Sequence, residues 1–155
     1  MVQQLEILYL AVKEEKVFFM KFFLFFLIVF FISLKTYSHG TILVSGVKHN
    51  EGYIDVKIYT DKESFLKEEL TVENIRKKPT KGDTVIPISK IHEGIVAIVV
   101  YHDEDGNGEL KTGLFWRPKE GFAFSNNYTP KGPPKFKKAA IELVHGEPVV
   151  IELNY

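Results

Sequence analysis

The sequence predicts an all-β protein, a single β-sandwich of about seven strands with a long ordered loop after the central strand. Three observations indicate this fold class. Residues 53–60 (YIDVKIYT) alternate apolar and polar side chains, the pattern of a half-buried strand. Residues 94–101 (GIVAIVVY) are a β-branched apolar run that is too short for a core helix. Turn-forming residues separate such segments and no long helical pattern follows residue 38, so the strands bury their apolar faces in two packed sheets.

The first half of the domain is predicted to hold two strands and a connection. Residues 41–47 (TILVSGV) form a strand that ends at the turn-forming residues 49–52. Residues 53–60 form the next strand, with one face toward water. Residues 62–69 carry charges around two apolar side chains, which predicts a short helix or turn that Asp61 caps.

Turn signals mark the remaining strands. Residues 70–78 and 83–89 flank the segment PTKG and are predicted to form a hairpin or two neighbouring strands. Residues 94–101 are predicted to be a central strand that is buried on both faces. Residues 139–144 and 148–153 are separated by HGE, which predicts a C-terminal hairpin.

Residues 103–138 contain no clear strand pattern and are rich in glycine and proline. A connection of this length inside a small domain is usually functional or disordered. Its aromatic content argues against disorder, because disordered segments are poor in such side chains. We therefore predict an ordered excursion over one end or face of the sandwich.

The N-terminal residues predict export. Lys21 is followed by 13 almost entirely apolar residues, 22–34, and then by the small residues Thr36 and Ser38. This is the pattern of a signal peptide over residues 20–38, with cleavage before His39. The run is shorter than the ~20 residues of a membrane-spanning helix, so a retained anchor is the lesser alternative. Export predicts a secreted or periplasmic protein with no stable membrane insertion after cleavage.

Residues 1–19 do not resemble the start of a signal peptide, because they carry Glu6, Glu14 and Glu15 among apolar residues. We predict that Met20 is the true start and that residues 1–19 are a mis-called extension. The β-sandwich domain then comprises residues 39–155.

Composition excludes several classes of function. The chain has no cysteine, which rules out disulfides, thiol ligands and thiol nucleophiles. Its 20 Lys plus Arg balance 20 Asp plus Glu, whereas a nucleic-acid partner calls for a basic excess. The short basic run at residues 76–78 is interpreted as a solvated face.

The segment after the central strand predicts a cation site. Asp103, Asp105 and Asn107 offer side-chain oxygens at alternate positions, Gly108 permits a sharp turn, and the carbonyl of Glu109 follows as a further ligand. This order matches the first half of the calcium loop of an EF-hand.

The second half of that loop does not match. Position twelve is Leu114, where a bidentate glutamate is required, so an EF-hand is excluded. Glu120 is the nearest downstream carboxylate that closes a Ca²⁺ shell, with Glu104 and Glu109 as weaker candidates. The competing interpretation is a plain turn, in which Asp and Asn side chains bond to local backbone amides.

Further candidates for ligand binding lie in and around the same segment. His102 directly precedes the loop, yet no second histidine stands at a ligand-like spacing from it, with His49 and His92 elsewhere in the chain. Aromatic side chains of the loop are suited to stacking on sugars or gripping an apolar ligand, or else to pinning the loop as a satellite core. The ligand-binding candidates are His102, Trp116, Phe124, Asn126 and Asn127.

Residues 102–127 (HDEDGNGELKTGLFWRPKEGFAFSNN), followed by GPPKFKKAAIEL, resemble the family called domain of unknown function 2141. The resemblance covers nearly all of residues 41–155 and implies a small exported bacterial protein with a transthyretin-like or immunoglobulin-like sandwich. It brings no established activity. Lys111 stands where the family implies an acidic residue, which weakens the cation site in this chain.

Two functions follow as hypotheses. The first is a non-catalytic binding or structural module of the cell envelope with a calcium-binding Asp/Asn loop. The alternative is a hydrolase that acts on a small or carbohydrate substrate through carboxylates of the 102–127 loop. No Gly-x-Ser-x-Gly or phosphate-binding glycine motif is present, so we assign no catalytic residue.

Overall fold

A computed structural model of the chain describes residues 16, 20–23, 40–108 and 120–155. The chain divides into two compact units, Met1–Tyr37 and Ser38–Tyr155. In the first unit, Lys16 and residues 20–23 are helical and exposed. Across the described residues, no helix has the length and apolarity needed to span a membrane. Most of the predicted signal peptide and its cleavage site lie outside the described residues, so export stays a prediction.

The second unit is all-β, as predicted. Its described residues form eight strands: β1 (Thr41–Val47), β2 (Tyr53–Tyr59), β3 (Glu73–Lys77), β4 (Gly82–Pro87), β5 (Gly94–Asp103), β6 (Phe122–Phe124), β7 (Ala140–Leu143) and β8 (Pro148–Glu152). They are accompanied by a 3-10 helix, Glu68–Leu70, and by the single-turn helix α1, Phe136–Ala139. The strand β6 lies in the excursion for which no clear strand was expected.

The strands form two sheets. One has the order β4-β1-β8, in which β1 is antiparallel to β4 and parallel to β8. The other has the order β3-β2-β5-β6, and β7 also pairs with β5. The inner faces of both sheets contribute to one apolar core that includes Ile42, Ile58, Ile86, Ile98 and Ile151. This is the packing of a sandwich.

The predicted C-terminal hairpin is wrong, and the strands that flank PTKG form neither a hairpin nor neighbouring strands of one sheet. β3 pairs with β2 while β4 pairs with β1, so the PTKG turn carries the chain from one sheet to the other. The HGE turn does the same, because β7 pairs with β5 and β8 with β1. In each case the two strands bury apolar side chains, yet a turn signal does not reveal whether the chain returns along the same sheet or crosses the core.

The central strand is confirmed and extends two residues beyond the predicted end. From Val96 to Asp103, every residue of β5 is buried. Val96, Ile98 and Val100 belong to the main core, whereas Ala97 and Val99 pack in a second cluster on the other face. Because side chains alternate between faces of a strand, β5 is covered on both sides.

The predicted connection after β2 is also confirmed. The backbone N–H of Ser64 donates to Asp61 Oδ1 at 2.7 Å, so Asp61 caps the turn as expected. The 3-10 helix follows. Phe65 of this connection packs against the second cluster, which places the chain over that face of the sheet.

Candidate metal centre

The candidate site lies where β5 ends beside the start of β2. Tyr53 is paired with Asp103 and Ile54 with His102. The turn between β1 and β2 approaches so closely that a Cβ on Gly52 would lie 2.0 Å from the carbonyl oxygen of Asp103, and Gly52 also has a φ of +71°. Only glycine fits this position. The turn therefore brings residues 49–52 next to the predicted loop.

Asp103 is fully buried and organises the loop that follows it. Its Oδ1 accepts the N–H of Asn107 at 3.1 Å, and its Oδ2 accepts the N–H of Gly108 at 2.8 Å. Oδ2 also accepts a hydrogen bond from Arg76 Nη2. Gly108 adopts a φ of +83°, in agreement with its predicted role in a sharp turn. The backbone contacts are those of the plain-turn interpretation.

Arg76 makes contacts that the sequence interpretation did not anticipate. It is exposed, as a solvated basic face predicts, yet its guanidinium also contacts two buried carboxylates, Asp103 and Asp55, with Nη1 3.4 Å from Asp55 Oδ1. It also lies over the Tyr53 ring, 4.3 Å from the centroid. Asp55 and Asp103 are buried, so this surface cation faces carboxylates that lie inside the domain.

Asp55 is the electrostatically strained member of this group. Burial raises its pKa to about 6, against the lowering effect of the Arg76 guanidinium, and the nearby Asp103 charge adds to the rise. Burial likewise raises the pKa of the Tyr101 phenol. A low dielectric environment disfavours the charged form of both groups.

Three of the predicted metal ligands lie together. One carboxylate oxygen from each of Asp103, Asp105 and Glu120 falls within 4.8 Å of the others. Asp103 and Glu120 are buried, and Asp105 is exposed. Glu120 Oε1 also accepts the N–H of Glu104 at 3.3 Å, which joins the segment before β6 to the loop.

The other two predicted ligands contribute differently. Asn107 binds the cluster through its backbone N–H, which donates to Asp103 Oδ1 and, at 3.3 Å, to Asp105 Oδ1. Glu109 lies outside the described residues.

His102 is buried with both ring nitrogens engaged. Nε2 lies 2.7 Å from the carbonyl oxygen of Glu51, and Nδ1 lies 2.7 Å from the hydroxyl of Tyr155. A carbonyl only accepts, so Nε2–H donates to Glu51, while Nδ1 shares a hydrogen bond with the Tyr155 hydroxyl. The Tyr155 hydroxyl in turn accepts the N–H of Lys48 at 3.1 Å.

His49 and Glu104 complete a second group around His102, which sequence reasoning missed. His49 Nε2 lies 3.3 Å from Glu104 Oε2, and the His49 and His102 rings are 4.6 Å apart. His49 precedes His102 by more than fifty residues, so no local spacing marked the pair. The turn at Gly52 and the register of β2 against β5 bring them together.

The aromatic and amide side chains that were predicted to bind a ligand contact other parts of the domain instead, where the structure describes them. Phe124 is buried in the second cluster, against Phe65 and Tyr128. Asn126 Nδ2 donates to the carbonyl oxygen of Lys138 at 3.0 Å. Asn126 and Asn127 both have positive φ, a conformation that asparagine tolerates. These contacts favour the satellite-core interpretation, while Trp116 lies outside the described residues.

Ser125 fixes this region to the sheet. Its hydroxyl accepts the N–H of Ile98 at 2.8 Å and donates to the carbonyl oxygen of Ala139 at 2.5 Å. The residue is 1% exposed, so this hydroxyl bridges β5 and the end of α1 inside the domain.

Comparison with known proteins gives one match. The model of a family described as uncharacterized protein conserved in bacteria (DUF2141) matches residues 42–152, which cover the described strands of both sheets except for Thr41, the first residue of β1. No curated protein and no solved structure matches the chain.

Proposed function

The chain belongs to the DUF2141 family of uncharacterized bacterial proteins, a membership that assigns no activity, and we propose from its site that it is a calcium-binding, non-catalytic module. In this proposal the loop 103–108 holds the ion and Glu120 closes the shell. The domain is exported to the cell envelope, where it serves as a binding or structural module.

One observation carries the calcium proposal: the convergence of carboxylate oxygens from Asp103, Asp105 and Glu120 within 4.8 Å of one another. Calcium binds oxygens at about 2.3–2.6 Å, so oxygens on opposite sides of one ion lie roughly 5 Å apart. The three groups thus fit around a single Ca²⁺ without a large rearrangement. Two of them are buried, which holds their positions before the ion arrives.

Asp103 retains capacity for a metal beside its protein contacts. Its Oδ2 accepts from Arg76 and Gly108, whereas its Oδ1 accepts one N–H, that of Asn107. A carboxylate oxygen has two lone pairs, so Oδ1 can also face an ion. Carbonyl groups and water supply the remaining ligands that calcium requires.

A cation in this loop would stabilise an exported domain that has no disulfide. Binding to the folded state alone adds RT ln(1 + [Ca²⁺]/Kd), about 2.7 kcal/mol at one hundred times Kd. For a domain of this size, that corresponds to a rise in Tm of roughly 10 °C.

The test is a thermal unfolding series in CaCl₂, from chelator to millimolar calcium, with MgCl₂ as the ionic control. We expect a calcium-specific rise in Tm that Asp105→Asn and Glu120→Gln remove. Asp83→Asn makes the same chemical change at an exposed position of β4 and should respond like the wild type. An unchanged Tm for the wild type in millimolar calcium contradicts the proposal.

The hydrolase alternative has less support. Asp103 is fully buried and bonded to Arg76 and two backbone amides, and both nitrogens of His102 are bonded within the protein. A general acid or base needs access to the reacting proton. These contacts argue against an acid/base role for either group.

A further inference from the structure

A second group of ligand-type side chains lies at the same end of β5 and goes beyond the proposed calcium loop. One ligand atom from each of His49, His102 and Glu104 falls within 4.8 Å of the others. From this group we infer that the domain binds a divalent transition metal, specifically Zn²⁺, at a site separate from Asp103, Asp105 and Glu120.

The distances suit zinc. Zinc binds imidazole nitrogen at about 2.0–2.1 Å and carboxylate oxygen at about 2.0–2.2 Å, so neighbouring ligands of a tetrahedral ion lie roughly 3.3–3.5 Å apart. His49 Nε2 and Glu104 Oε2 are already 3.3 Å apart. The ligand atom of His102 needs to approach by no more than about 1.5 Å to complete the triangle.

The donor set separates this site from the calcium loop. Two imidazoles and one carboxylate suit zinc and its neighbours, whereas calcium takes oxygen ligands. The calcium proposal rests on an all-oxygen group, so each site selects its own class of ion. Three protein ligands leave a fourth zinc position for water or another small ligand.

His102 is held as metal-binding histidines are held. Its ring is buried, and hydrogen bonds to Glu51 and Tyr155 fix its plane. Metal-bound histidines donate the other ring N–H to a carbonyl or a similar acceptor, which orients the ligand. When Nδ1 exchanges the Tyr155 hydroxyl for zinc, Nε2–H keeps the Glu51 carbonyl as its acceptor. Tyr155 is 43% exposed, so the hydroxyl that zinc replaces belongs to a side chain bordered by solvent.

His49 and Glu104 have the freedom to close on an ion. Their side chains are 35% and 34% exposed, so both can shift without disturbing the core. His49 Nδ1 is buried without a hydrogen-bond partner among the described residues, so the protein alone leaves this ring incompletely satisfied. The alternative is an ordinary His49–Glu104 ion pair beside a structural His102. Such a group would show no affinity for zinc, so a binding experiment distinguishes it from a zinc site.

The experiment is calorimetric titration of the full purified chain with ZnCl₂ alone, after treatment with chelator. We expect one zinc ion per chain, with a Kd on the order of 1 µM or tighter at neutral pH. His49→Ala and Glu104→Gln each weaken binding by about tenfold or more. Binding also weakens at acidic pH, because the histidines must be neutral to ligate.

Matched controls make the result specific. His145→Ala and Glu142→Gln carry the same changes at exposed positions of the β7 end and should bind zinc like the wild type. Asp105→Asn should also leave zinc binding unchanged, which separates this site from the calcium loop. A wild-type chain that binds no zinc at millimolar concentration overturns the inference, as does unaltered binding in a folded His49→Ala variant.

Discussion

Replacing Asp103 by alanine tests how much the fold at the candidate site depends on this carboxylate. Asp103 is fully buried and accepts hydrogen bonds from Arg76, Asn107 and Gly108. The loop amides are near solvent and recover water, so losing each of them costs about 1 kcal/mol. Loss of the charged bond to Arg76 adds to this cost because Asp103 is buried, although the exposed guanidinium regains contact with water.

The two loop amides alone therefore predict a loss of at least about 2 kcal/mol. A domain stable by roughly 5–15 kcal/mol remains folded after this loss. With a urea m value of about 2 kcal/mol/M, the unfolding midpoint falls by at least roughly 1 M.

Urea unfolding in chelator measures this loss without any contribution from a bound metal. Asp83→Ala, at an exposed position of β4, is the control and should change stability by less than about 0.5 kcal/mol. Arg76→Met alone and in combination with Asp103→Ala completes a double-mutant cycle, which should give a coupling of more than about 1 kcal/mol. A loss below about 1 kcal/mol in Asp103→Ala would refute the assigned role of the network.

Three further outcomes are expected. The pKa of Asp55 is raised to about 6, so its contribution to stability is full below the unfolded value of 3.8 and is lost as pH rises through about 6. Urea midpoints measured from pH 4 to 7 should therefore shift in favour of Asp55→Asn over the wild type as pH rises. A difference in midpoint between the two proteins that stays constant with pH contradicts this. Glu73 is 4% exposed and accepts hydrogen bonds from the N–H and hydroxyl of Ser89 and from the N–H of Lys90. Glu73→Ala should therefore lower the free energy of unfolding in urea by about 3 kcal/mol, and a loss below about 1 kcal/mol argues against a stabilising role for these hydrogen bonds. If the predicted signal peptide is cleaved, N-terminal sequencing of the mature chain should begin at His39, and a mature chain that retains Val2 rules out this cleavage.

Much of the site was predictable because its signals are local. Alternate Asp and Asn positions followed by glycine encode a turn that wraps side-chain oxygens around one point, and Asp103 and Gly108 adopt that turn. The convergence of Glu120 with Asp103 was also anticipated as the nearest downstream carboxylate. The Arg76 contacts were not, because a basic run at a strand end has the same sequence pattern whether or not one of its side chains also pairs with buried carboxylates.

The amino-acid sequence by itself determined that this chain forms short strands, that residues 94–101 lie at the centre, and that a tight Asp-rich loop follows. Side-chain alternation, β-branching and turn chemistry act within a few residues, so a sequence displays them directly. Only the tertiary structure decided that β3 and β4 belong to different sheets, and that His49 meets His102 and Glu104. Such pairings depend on which distant strands bury their apolar faces together, and local patterns do not specify that choice.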